Sequence, residues 1–149
     1  HHYLWRFASR LPPPGTLALF DRSWYGRVLV ERVEGLVPAK AWGRAYDEIN
    51  AFERMLTDDG VVMVKFFLHI DKATQLARFK LREKDPLKNF KLGEDDWRNR
   101  KRWGDYLEAY QDTFDRTHRP DAPWVIVAAN DKRLARLQVL KAAIQCLDG

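Results

Sequence analysis

Asp21 closes a short apolar run, Leu17-Ala18-Leu19-Phe20, and is followed at once by Arg22 and then by Arg27. A carboxylate delivered by the C-terminal end of a buried strand has the form of a Walker B element. It can hold Mg²⁺, whose charge offsets that of phosphate oxygens. The same placement also suits a plain turn or cap, because aspartate readily bonds nearby backbone. Arg22 and Arg27 likewise have two readings, as phosphate contacts or as surface partners of Glu31 and Glu34. Arg78 and Arg82 stand four apart in the chain, so a helix would place both guanidinium forks on one face toward a single extended anion. Lys84, Lys88 and Lys91 continue that basic line.

The charge distribution gives this line weight. Ten Lys/Arg and five Asp/Glu fall between Arg78 and Arg102, an excess equal to the whole chain's net charge of +5. Such a focus attracts a polyanion, whether nucleic acid, a phosphate chain or an acidic membrane surface; a solvated helical face is the plain alternative. With 149 residues and 46% hydrophobic composition the chain fits one compact domain. No apolar run approaches the roughly 20 residues of a membrane-spanning helix, and the N-terminus lacks the pattern of a secretory signal. The single cysteine, Cys146, excludes an intramolecular disulfide and reads as a small buried apolar residue on the last helix. A cytoplasmic setting follows as the expectation. His69 has no Cys or His at ligand spacing, and His118 lies in a loop.

These residues need elements to hold them. Tyr3, Leu4 and Phe7 suggest the end of a helix, stopped by Pro12-Pro13-Pro14-Gly15. Thr16 to Phe20 reads as a buried parallel strand, and Val28 to Val33 as a short helix or second strand. Trp42, Ala45, Tyr46, Ile49, Phe52, Met55 and Leu56 recur at helical spacing. Val61 to Ile70 reads as a central strand, and Asp71 as the N-cap of a helix running to about Lys84, before Pro86. A basic loop from Leu87 to Gly93 leads to a second helix from Glu94 to about Thr117. Trp97, Trp103 and Tyr106 on it suit a packing seam. Trp124 to Ala129 is a further buried strand. Asn130 or Asp131 then caps a terminal helix with the stripe Leu134, Leu137, Leu140, Ala143, Ile144 and Leu147. Alternating strands and helices imply an α/β fold with a parallel sheet covered on both faces.

The run Asp21-Arg22-Ser23-Trp24-Tyr25-Gly26-Arg27, continuing through Glu31-Arg32-Val33-Glu34-Gly35, resembles the signature of the second family of polyphosphate kinases. Leu81-Arg82-Glu83-Lys84-Asp85-Pro86, Trp97, Ala122-Pro123-Trp124 and Ala129-Asn130-Asp131-Lys132 fit the same family in the same order. The resemblance covers essentially all of residues 1–149. It implies a P-loop kinase fold, a three-layer parallel sheet similar to that of thymidylate kinase, with a helical lid at about 78–117. It implies Asp21 as the Mg²⁺-holding carboxylate, and Arg22, Arg27, Arg78 and Arg82 as contacts to the transferring or nucleotide phosphates. Lys84, Lys88 and Lys91 would line the approach of polyphosphate, while Tyr25 and Asn130 would contribute to binding of polyphosphate or nucleotide.

One departure is large. None of the eight glycines is followed by lysine, so the Gly-rich phosphate cradle of a P-loop kinase is missing from these residues. The expectation is therefore an N-terminally incomplete domain, inactive by itself, whose parent is active. The activity implied is Mg²⁺-dependent phosphoryl transfer between polyphosphate and a nucleotide, AMP to ADP or ADP to ATP. An ATP-dependent nucleoside monophosphate kinase of the same fold and a basic nucleic-acid-binding module are the alternatives. The partners expected are polyphosphate and an adenine nucleotide, with no nucleic acid or membrane, in a homo-oligomer.

Overall fold

Residues 1–148 are described in a computed structural model of the chain. A single turn of helix, α1 (Trp5–Ala8), begins it and packs Tyr3, Leu4 and Phe7 against the main core. The motif that follows forms a 3₁₀ turn over Trp24–Arg27 and a short helix, α2 (Val30–Val33).

The longest helix, α3 (Ala39–Asp58), forms where apolar spacing requires one. It ends in a Schellman-type arrangement: Gly60 takes a left-handed φ of 86°, its N–H meets the Thr57 carbonyl at 3.0 Å, and the Val61 N–H meets that of Leu56 at 3.0 Å. Its buried face carries Ala45, Tyr46, Ile49, Phe52, Glu53 and Leu56. Met55, expected on that face, is 57% exposed, and a glutamate occupies the interior instead. Fully burying a large apolar side chain contributes roughly 1.5–3 kcal/mol, so Trp24, Val28, Tyr46 and Ile49 make this cluster the main source of cohesion.

Strands β1 (Lys65–His69) and β2 (Trp124–Ala128) pair in parallel, with Lys65 opposite Trp124 and His69 opposite Ala128. Phe67 meets Tyr110 and Phe114 at ring separations of 4.5 and 5.1 Å on one side. On the other, Phe66, Val125 and Val127 pack with Ala135 of α7 (Lys132–Asp148). The fold is thus mixed α/β with helices on both sides of a small parallel sheet. Between the strands run α4 (Lys72–Lys84), a 3₁₀ turn at Asn89–Lys91, α5 (Glu94–Lys101) and α6 (Trp103–Thr117). Trp97 of α5 meets Phe79 of α4 edge-on at 5.2 Å. No helix among the described residues is long and apolar enough to cross a membrane.

Further expectations need correction. Thr16 to Phe20 forms no strand: Leu17 is 75% and Leu19 89% exposed, and among the described residues the segment has no neighbouring strand to accept its backbone groups. The sheet is therefore two-stranded rather than the larger one expected. The single helix expected from Glu94 to Thr117 breaks at Arg102, whose N–H is shared between the carbonyls of Arg98 and Asn99 just before Gly104, a weak helix former. Finally, α7 turns Ala135 and Val139 to the sheet, because alanine permits close approach. Leu134, Leu137, Leu140, Ile144 and Leu147 remain 54–61% exposed, and Cys146 is only half-buried.

Candidate functional site

The turn carrying Asp21 to Arg27 is held by its aromatic residues. Trp24 and Tyr25 are buried, and the Trp24 Nε1–H and the Tyr25 hydroxyl both donate to Glu53 Oε1, at 3.0 and 2.7 Å. Lys65 Nζ donates to Glu53 Oε2 at 2.7 Å, to the Tyr25 hydroxyl oxygen at 3.1 Å and to the Thr117 carbonyl at 2.8 Å. Burial pushes the Lys65 ammonium below the ordinary lysine range, against the opposing pull of the Glu53 carboxylate. Burial, and then the Glu53 charge, push the Tyr25 phenol far up, so the hydroxyl stays protonated as a donor. Sequence reasoning assigned neither Glu53 nor Lys65. The available signal was an acid four residues after Ile49 on an apolar helix face and a lysine opening a buried strand.

Tyr25, expected as a binding residue, is 4% exposed in this conformation, and its hydroxyl donates to Glu53 and accepts from Lys65. Outside this anchor, Asp21 and Arg22 are exposed. Arg22 adopts a left-handed φ of 56°, which is uncommon for a side chain of its kind. Arg27 pairs with Glu31 at 3.0 Å and lies over the Tyr3 ring at 4.3 Å, so in this conformation it is a partner of the surface carboxylate. A surface hollow of about 400 Å³ opens beside Arg27, lined by His1, His2, Tyr3, Trp5, Arg6 and Glu31, and does not include Asp21 or the α4 arginines.

The second group of site residues sits at the C-terminal ends of the two strands, where parallel α/β sheets bind ligands. Asp71 caps α4, accepting from the Thr74 N–H at 2.6 Å. Asn130 donates to Asp71 Oδ2 at 2.6 Å and accepts from the Asp71 N–H at 3.1 Å, tying the two strand ends together. The cap of α7 is Asp131, which accepts from the N–H groups of Arg133 and Leu134 at 2.8 and 3.1 Å. Arg78 Nη2 donates to the carbonyls of Ala129 and Asn130 at 2.9 and 2.8 Å. It is thus partly committed to satisfying the strand end, and the simple picture of two free guanidinium forks holds only for Arg82.

The basic window is also less free than its composition suggests. Glu34 accepts from Arg98 at 2.7 Å and lies 3.9 Å from Arg102, while Arg100 donates to the Lys72 carbonyl and to Gln75. Lys88 pairs with Asp85. Among the described residues, Lys80, Arg82, Lys84, Lys91 and Lys101 enter no ion pair. Asp21, Arg22, Tyr25 and Arg27 form one group and Arg78 and Asn130 another. Arg82, Lys84, Lys88 and Lys91 extend along the end of α4 and the loop after it.

For a metal, the donor set is sparse. Among the described residues no three His, Cys, Asp or Glu side chains gather as a metal site. Asp21 offers one exposed carboxylate, which fits Mg²⁺ only in its usual habit of one or two carboxylates with phosphate oxygens and water.

Comparison with known proteins decides the family. The model for Polyphosphate kinase 2 matches residues 1–149. The chain belongs to this family. Polyphosphate kinase 2 relatives include the polyphosphate:AMP phosphotransferase of Pseudomonas syringae pv. tomato, 57% identical over 98% of this chain and 29% of the relative. The ADP-polyphosphate phosphotransferase of Pseudomonas aeruginosa is 41% identical over 96% of this chain and 47% of the relative. The crystal structure of polyphosphate kinase 2 from Arthrobacter aurescens TC1 superimposes with a TM-score of 0.95 at 40% identity, covering 100% of this chain and 53% of that one. The chain thus spans about half or less of the length of these polyphosphate kinase 2 relatives.

The Asp71 cap yields a pH prediction. Hydrogen bonds from Thr74 and Asn130 hold its carboxyl below the ordinary carboxylate range. A carboxyl with a depressed folded pKa contributes stability that is present above roughly pH 4 and lost as pH falls through the folded value. Asp71→Asn is therefore expected to lower the thermal midpoint near pH 7 and to leave it less sensitive to acid below about pH 4. Melting curves of both proteins across that range check this, and parallel acid limbs would contradict it.

Proposed function

We propose that the protein carrying this chain transfers phosphoryl groups between inorganic polyphosphate and a nucleotide, with AMP as the acceptor. The observation that carries the AMP reading is the difference in identity: 57% to a relative named for AMP against 41% to one named for ADP, over nearly the same stretch. The chemistry available is positional and electrostatic. No residue need form a covalent intermediate, because phosphoryl transfer rests on alignment and on neutralising charge at the oxygens of the transferred group. Mg²⁺, when bound, would supply that neutralisation between phosphate oxygens and the Asp21 carboxylate. Arg22 would meet phosphate from its exposed position on the turn. Arg27 would do so by exchanging Glu31 for a phosphate oxygen.

Arg82, Lys84, Lys88 and Lys91 would guide the polyphosphate chain. Arg78, anchored on the strand-end carbonyls through Nη2, would keep its other nitrogens for phosphate. Asn130 would border the nucleotide through the loop it braces. Each cycle would break one phosphoanhydride bond of polyphosphate and form one on the AMP phosphate, giving ADP and a chain shorter by one phosphate. A homo-oligomer in the cytoplasm is the setting this reading assumes.

The test is acceptor competition in the whole protein, with AMP and ADP supplied at equal concentration alongside long-chain polyphosphate. The kcat/KM for AMP is expected to exceed that for ADP by at least about tenfold, a difference of roughly 1.4 kcal/mol in transition-state binding. Equal or reversed preference would refute the AMP assignment.

A further inference from the structure

We propose that the buried Glu53–Lys65 pair is a positioning device for the phosphate-handling turn, fixing the backbone that presents Asp21, Arg22 and Arg27. This rests on the reading of that turn given above.

Glu53 is fully buried and Lys65 is 7% exposed. All three protons of the Lys65 ammonium have acceptors, and both Glu53 oxygens are used. A buried ion pair is a poor device for stability alone, since apolar residues of the same volume often do as well. What it supplies instead is direction. Two donors from consecutive residues, Trp24 and Tyr25, converge on one carboxylate oxygen, so both ring orientations are set together. The pair is itself gripped from three elements: Glu53 on α3, Lys65 opening β1, and the Thr117 carbonyl at the end of α6. The turn is thereby referenced to the sheet and to α3 and α6 at once.

A second observation points the same way. Arg22, two residues before Trp24, holds a left-handed φ of 56°, and such a conformation persists only where the surroundings impose it. Beyond Tyr25, the turn closes through the Gly26 N–H to the Ser23 carbonyl at 3.2 Å and the Val28 N–H to the Tyr25 carbonyl at 3.1 Å. The anchored rings therefore stand between the exposed Arg22 and the half-buried Arg27 and constrain both.

The experiment compares three versions of the whole protein: wild type, Tyr25→Phe, and the double variant Glu53→Leu/Lys65→Met. The double variant removes the anchor without leaving an unpaired charge; Tyr25→Phe keeps the ring and removes only its hydroxyl. Polyphosphate-to-nucleotide turnover in the folded double variant is expected to fall about 10–100-fold, the scale of a misplaced contact. KM for both substrates should change by less than about threefold. Tyr25→Phe should lose about threefold to tenfold in kcat, one hydrogen bond's worth. Trypsin cleavage after Arg22 and Arg27 should quicken by about tenfold in the double variant, while cleavage after Arg136 in α7 should not.

Wild-type kcat and unchanged cleavage in the folded double variant would overturn the proposal. If the double variant does not fold, Tyr25→Phe decides by the same two readouts. If wild type transfers no phosphate, the functional reading fails, and the cleavage rates alone still decide whether the pair orders the turn.

Discussion

Lys65→Met by itself is expected to destabilise the protein by about 3–5 kcal/mol, because it leaves the Glu53 carboxylate buried without its cation. Glu53 has no exposed surface, and its remaining partners, Trp24 Nε1 and the Tyr25 hydroxyl, are neutral donors. Glu53→Leu alone should cost a similar amount by stranding the ammonium. The double variant should cost much less than the sum, since it removes both charges and returns apolar volume to a site lined by Trp24, Tyr25 and Phe52. Denaturant titration of the four proteins checks this: a coupling energy near zero would mean that the pair does not behave as a buried unit. Stability and turnover thus come apart at this site, with the double variant restored in the first and impaired in the second.

Asp21→Asn is the substitution expected to cost most in activity. Its carboxylate is exposed and makes no ion pair among the described residues, so the fold should lose little. If it holds Mg²⁺ against the phosphates, its neutralisation removes several kcal/mol of charge stabilisation, a fall in kcat of about 10²–10³-fold. Raising Mg²⁺ should recover part of that loss. A variant with wild-type turnover and an unaltered melting curve would make Asp21 a turn residue, the plain reading its position also allows.

Most signals decided by local physics are legible in the sequence, the break at Arg102 before Gly104 being the exception. The Asp71 cap adjoins the helix it starts, Pro86 stands just past that helix's end at Lys84, and the structure reproduces both. The long helix from Ala39 was equally legible, since its apolar spacing from Trp42 to Leu56 runs over about four turns. Long-range partners were not. Thr16 to Phe20 has the composition of a strand, but a strand exists only beside another, and no neighbour stands there among the described residues. On α7 two apolar stripes compete, and which one meets the sheet depends on the small Ala135, a fact about the partner surface rather than the helix.

The site follows the same division. Asp21 to Arg27 was found because its residues are contiguous, and the resemblance to the family begins with them. The residues that anchor the turn are separated from it by 28 to 40 positions and carry charges that pattern reasoning assigns to the surface. Arg78 and Asn130 were found as candidates, but their commitment to Ala129 and Asp71 depends on strand pairing that spacing does not reveal. For the same reason spacing does not reveal that Glu34, far away in sequence, pairs with Arg98 and lies 3.9 Å from Arg102 of the basic window.

The most direct measurement is ADP formation by the whole protein from AMP, Mg²⁺ and long-chain polyphosphate, with ATP excluded, beside a parallel reaction in which ATP is the sole donor. Polyphosphate is expected to sustain ADP formation, with ATP giving little turnover. ADP formation only with ATP as donor would contradict the account, making the protein an ordinary nucleotide kinase and leaving Arg82, Lys84, Lys88 and Lys91 without the ligand proposed for them.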